Sequence, residues 1–177
     1  AGATVTFNNC NITGNSVTNG SGGGALFFAN GNLNIIDSSF ENNSSSDEAG
    51  AIFGQSGTIT ITNTLFKSNS AASKGGALYA NSANFTITGS TFYDNETTNT
   101  SGVTGGSALY VATSGSTNSI TNCTFFQNTT GITNQDYGTI RTDNGNTTVT
   151  NSLFYDNKTN TDAGSPSDWG SGPGGTQ

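Results

Sequence analysis

Six times in 177 residues an aromatic or aliphatic residue is followed three positions later by Asn. The copies are I-T-G-N at 12–15, F-E-N-N at 40–43, F-K-S-N at 66–69, F-Y-D-N at 92–95, F-F-Q-N at 125–128 and F-Y-D-N at 154–157. Successive copies lie 28, 26, 26, 33 and 29 residues apart, a period that indicates stacked repeats. Each unit of such a stack buries its apolar side against its neighbours, so no thick globular core is needed. That point decides how the composition is read. With 31% hydrophobic residues and 25 Gly, the bulk numbers alone lean toward a low-complexity segment, and the periodicity overrules them.

Every copy fits one template. Five positions before the repeat Phe stands Phe7, Ile35, Ile61, Ile87, Ile120 or Val149, within stretches that alternate apolar and polar, such as T-I-T-I-T at 58–62 and N-F-T-I-T at 84–88. Period-two patterning with β-branched residues predicts strands with one buried and one wet side. Upstream recurs a second block: G-G-A-L-F at 23–27, A-G-A-I-F at 49–53, G-G-A-L-Y at 75–79, G-S-A-L-Y at 106–110 and Y-G-T-I-R at 137–141. The expected fold is all-β, a parallel β-helix of about six rungs with three short strands per rung. It should span 1–160, followed by a Gly-, Ser- and Pro-rich tail at 161–177. Asn15, Asn43, Asn69, Asn95, Asn128 and Asn157 are expected at a corner, where Asn tolerates positive φ and stacked amides can bond from rung to rung.

The alternation of GGA[L/I] and FxxN over residues 5–157 resembles the repeats of chlamydial polymorphic outer-membrane proteins and of similar microbial surface proteins. The resemblance implies a right-handed β-helix in an adhesive passenger region, extracellular or on a cell surface. The autotransporter barrel of that family has no counterpart in this sequence.

Catalytic chemistry finds little footing. There is no His, which removes histidine bases and His-liganded zinc. Lyases of this fold need clustered acids for Ca²⁺ and a basic residue beside them. Here Asp94 and Asp156 share a template column with Gln127 between them, Asp47-Glu48 stands apart, and Lys74 and Arg141 have no carboxylates grouped around them in sequence. The expectation is a protein without catalytic residues, metal or cofactor. Cys10 and Cys123 lie four rungs apart, about 19 Å at roughly 4.8 Å per rung, beyond disulfide reach. A net charge of -7 argues against nucleic acid and anionic lipid as partners. The sequence has no run of about 18 apolar residues, so no membrane-spanning helix is expected.

Function is therefore sought on the outside. Tyr93, Phe126 and Tyr155 follow the repeat Phe and should point outward, in a column with Thr13, Glu41 and Lys67. Phe27, Phe53, Tyr79 and Tyr110, ending in Arg141, form a second aromatic column that points outward if Leu26, Ile52, Leu78, Leu109 and Ile140 point in. Thr60/Thr62, Thr86/Thr88 and Thr148/Thr150 make Thr-x-Thr rows similar to the ice-binding surfaces of some antifreeze proteins. Eleven N-x-[S/T] sites occur, including Asn99 in a loop. Trp169, in the tail, is expected to dock on an edge or groove of the helix or on a neighbouring subunit. The preferred reading is a secreted structural or adhesive protein that polymerises end to end. The alternatives are a monomeric adhesin with a receptor or glycan partner, an ice binder, and a polysaccharide lyase-like enzyme.

Overall fold

The computed structural model describes residues 2–99, 105–131 and 138–159, together with the strands Trp169–Ser171 and Gly175–Thr176. Three sheets of eleven, six and six strands are present, and adjacent turns pair in parallel throughout, as in Thr4–Asn8 with Asn32–Ile36 and Leu65–Lys67 with Thr91–Tyr93. The protein is a parallel β-helix, and no helical segment occurs among the described residues. The three sheets match the three strands expected per rung, with the long-sheet strand divided into two segments in the second to fourth turns. In the second turn Leu26–Phe28 and Asn32–Ile36 enter the long sheet, Ser39–Glu41 the sheet of the repeat Phe residues, and Ser44–Ser45 the third sheet. In later turns the first two segments fuse into the continuous strands Leu109–Thr121 and Ile140–Thr150.

In the sheet of the repeat Phe residues the parallel pairing has no register shift, which puts equivalent residues directly above one another, about 4.8 Å apart. Ile12, Phe40, Phe66, Phe92, Phe125 and Phe154 therefore form one inward file. Phe40, Phe66, Phe92, Phe125 and Phe154 stack ring on ring, with successive centroids 5.3, 4.8, 4.9 and 4.7 Å apart. The rest of the core comes from the long sheet: Leu33, Ile59 and Phe85 in one file, Ile35, Ile61, Ile87 and Ile120 in another, and Ile52, Leu78, Leu109 and Ile140 in a third.

The repeat Asn residues also form a file, and their chemistry spans three turns. Asn69 donates from its backbone N and its Nδ2 to Asn95 Oδ1 in the next turn, at 3.1 and 2.9 Å, while Nδ2 also donates to the Phe40 carbonyl of the turn before, at 2.9 Å. The same pattern holds at Asn43, Asn95 and Asn128. The left-handed residue at this corner lies one position earlier than expected. Gly14, Asn42, Ser68, Asp94, Gln127 and Asp156 carry the positive φ. That residue turns the chain, which frees the following Asn to point inward and bond the turns on either side. At the G-G-A corner the turns pass in contact: a Cβ on Gly76 would lie 2.0 Å from the Ser107 carbonyl oxygen, so Gly76 admits no larger residue there, although the next turn carries Ser107 in the same column.

Candidate functional site

The column Lys67, Tyr93, Phe126, Tyr155 lies on the outer face of the repeat-Phe sheet. Its rings stack at 5.3 and 5.4 Å, nearly parallel, and Lys67 Nζ caps the series 5.7 Å from the Tyr93 centroid. Beside it runs a groove of about 370 Å³ whose walls include Leu65, Leu153 and the three rings. Leu153 and Tyr155 are 59% and 63% exposed. Because the rings are stacked along the helix axis, they turn edges to the solvent. A sugar ring stacks on an aromatic face, and Tyr155, at the end of the series, has one face without a ring neighbour among the described residues.

The second aromatic column leaves the core as its alternation requires, since Leu78, Leu109 and Ile140 lie in the main core while Phe53, Tyr79 and Tyr110 form a separate cluster with Ala49. It is not a free surface. Phe53, Tyr79, Tyr110 and Arg141 are buried, and Phe27 alone of the column is exposed. Here the structure assembles charges that lie far apart in the sequence. Lys74 Nζ bonds Glu48 Oε1 at 2.7 Å and sits 5.3 and 5.6 Å from the Tyr79 and Tyr110 ring centroids. Arg141 Nε bonds Asp143 Oδ1 at 2.7 Å and lies over the other side of the column, 5.2 Å from the Tyr110 centroid. The Tyr110 hydroxyl donates to Asp143. Ordered pairs of this kind give the sheet an outer, covered layer. Stacked cations over aromatic rings add about 0.5–2 kcal/mol each.

Burial, with Glu48 next, pushes the Tyr79 phenol well above its ordinary value, and burial with the Asp143 hydrogen bond does the same at Tyr110. A raised folded-state value means that the unfolded chain loses these protons first. The stabilisation is whole below about pH 10, where free tyrosine titrates, and is lost as pH rises above it. Denaturant unfolding at about pH 9 and pH 11.5 should therefore show a smaller loss of stability for Tyr79→Phe with Tyr110→Phe than for the unsubstituted chain.

Three of the acidic side chains hold hydrogen-bond partners in neighbouring turns. Asp47 accepts from Ser21 and Ser73, and Asp94 accepts from Ser68. Asp156 is held below the usual carboxylate range by the Gln127 hydrogen bond and then by Lys158. No group of three or more His, Cys, Asp or Glu suited to a metal occurs among the described residues. Cys10 and Cys123 are free thiols, the second buried. Burial of Asn43, Asn95, Asn128 and Asn157 in the ladder closes four of the eleven glycosylation sites in the folded chain, a constraint that the N-x-[S/T] pattern alone could not reveal.

At the far end, Trp169–Ser171 pairs with Ile140–Thr142 and Gly175–Thr176 with Gly145–Asn146, both in parallel. The backbone of Trp169 thus takes the register position of Leu26, Ile52, Leu78, Leu109 and Ile140. The expected contacts of its side chain, and residues 161–168, 172–174 and 177 of the tail, lie outside the described residues.

A family model described as the right-handed beta helix region matches residues 3–166. No curated protein and no solved structure matches the chain.

Proposed function

Because the chain belongs to the right-handed β-helix family, whose turns bury apolar surface only against neighbouring turns, we propose that it is a non-catalytic structural or adhesive module of the cell exterior that joins head to tail with further copies of itself. The supporting observation is that the edge strands at the two sides of the described stack occupy matching files. The first turn supplies Thr4–Asn8, Asn11–Thr13 and Ser16–Val17, and among the described residues nothing precedes Leu26–Phe28 in its file. The tail supplies Trp169–Ser171 in that file, and then Gly175–Thr176. Laid together, tail and first turn make one complete turn, overlapping where Thr4 and Thr176 share a register position.

Side chains at the two ends fit the same reading. Among the described residues the exposed large apolar ones are Val5, Phe27, Leu153 and Tyr155, and each is the first or last described member of its register file. Phe27 stacks one face on Phe53 at 5.3 Å, which leaves the other for the tail strand of a preceding copy. Asn43, Asn69, Asn95, Asn128 and Asn157 each accept two bonds at Oδ1 from the turn before. Asn15 Oδ1 accepts none among the described residues. The monomeric adhesin reading draws on the groove beside Phe126, and its glycan form is weakened by rings that present their edges.

Sedimentation velocity over rising concentration tests the proposal. The full chain should grow from monomer to a series of longer species, and a chain ending at residue 160 should remain monomeric because the shared turn is incomplete. A full chain that stays monomeric, or a truncation that associates more strongly because the tail was only a cap, would refute end-to-end joining.

A further inference from the structure

The long sheet has a second outward surface, formed by the alternate residues of Thr4–Asn8, Asn32–Ile36, Thr58–Thr62 and Asn84–Thr88 and continued by 117–121 and 146–150. Its eighteen outward positions hold Thr, Asn, Ser and a single Ile, Ile36, with no charge in any turn. That is unusual in a chain of net charge -7. The outer faces of the other two sheets carry Glu41, Lys67, Glu96 and Lys158.

Most hydroxyls of this face are open. Thr4 and Thr6 accept from Asn32 Nδ2 and Asn34 Nδ2 of the next turn at 3.4 and 3.5 Å. The hydroxyls of Thr58, Thr60, Thr86, Thr88, Thr148 and Thr150 have no hydrogen-bond partner among the described residues. Each β-branched side chain is restricted at χ1, so hydroxyl and methyl recur together on a grid of about 4.8 Å between turns and about 6.6 Å along a strand.

We propose that this face binds ice. A rigid, neutral grid with open hydroxyls fits a periodic, neutral hydrogen-bonding solid, and the oxygen lattice of ice repeats on the same length scale. The methyl groups offer apolar area from which water is released on contact. A crystalline polysaccharide is the other solid of this chemistry. It is disfavoured because the face contains no aromatic ring on which a sugar could stack.

Partition of the full chain into slowly growing ice, with inhibition of ice recrystallisation, tests this directly. The unsubstituted chain should be enriched in the ice. Thr60→Lys with Thr86→Lys should lose both activities, whereas Ser44→Lys with Ser70→Lys, on the third sheet, should keep them. Thr60→Tyr with Thr86→Tyr, which retains strand-forming residues, should also lose them, and circular dichroism checks that each variant is folded. Exclusion of the unsubstituted chain from ice overturns the proposal. So does equal activity of all variants, or retention on microcrystalline cellulose or chitin without entry into ice. End-to-end joining is scored separately by sedimentation, so failure of one reading leaves the other standing.

Discussion

Asn95→Ala is expected to destabilise the protein by about 3–5 kcal/mol, from several buried groups losing partners at about 1–3 kcal/mol each. Asn95 has no solvent exposure. Its Oδ1 accepts from Asn69 N and Nδ2 at 3.1 and 2.9 Å, and its Nδ2 donates to the Phe66 carbonyl and to Asn128 Oδ1, both at 3.0 Å. Alanine removes all four bonds, leaves the Asn69 backbone N–H without its acceptor and takes one donor from the Phe66 carbonyl, far from water. The loss is a large share of a folding stability of about 5–15 kcal/mol. Asn15→Ala is the control. Asn15 is exposed and donates only to Asn43 and, at 3.4 Å, to the Thr13 carbonyl, so its loss should cost about 1 kcal/mol or less. Urea unfolding followed by circular dichroism measures both. Equal and small effects at the two positions would mean that the ladder is incidental to stability.

Phe92→Ala is expected to cost about 3–5 kcal/mol, the range for emptying a buried aromatic site. Phe92 is fully buried and lies between Phe66 at 4.8 Å and Phe125 at 4.9 Å. Each stacked pair adds about 0.5–1.5 kcal/mol beyond area burial, so both contacts disappear with the ring. Phe154 stacks on one neighbour and is only partly buried, and Phe154→Ala should cost about half as much. Tyr93, one residue further on, faces outward, and Tyr93→Ala should shift stability by about 1 kcal/mol or less. A ranking in which Tyr93 matters more than Phe92 would mean that the sides of this strand have been misassigned.

Much of the scaffold was legible because a solenoid repeats its constraints. A Phe every 26 to 33 residues can stack on itself only if the strands run parallel, and the alternation around Ile61 and Ile87 then assigns both faces. The turn at the repeat Asn was displaced by one residue, because Asn suits a left-handed position and an amide ladder alike, and one sequence does not separate the two uses. Gly14, at position 14 in the first copy, was the available signal: it marks the residue before Asn15 as the left-handed one.

The covered outer layer was harder to see. Lys74 meets Glu48 across 26 residues and Tyr110 meets Asp143 across 33, so neither pair exists until the register is known. Arg141 and Asp143, two apart on one strand face, could have been found from the sequence. Burial of Tyr79 and Tyr110 could not, since nothing in an alternating strand reports whether its outward side will be covered. The place of Trp169–Ser171 in the file of Leu26–Phe28 likewise emerges only from the register.

Electron microscopy of the full chain at high concentration tests end-to-end joining most directly. Rods are expected with an axial repeat of about 29 Å per copy, six turns at about 4.8 Å, in which Leu26–Phe28 of one copy lies on Trp169–Ser171 of the preceding one. Single particles at every concentration, or copies paired side by side along the groove at Phe126, would contradict it.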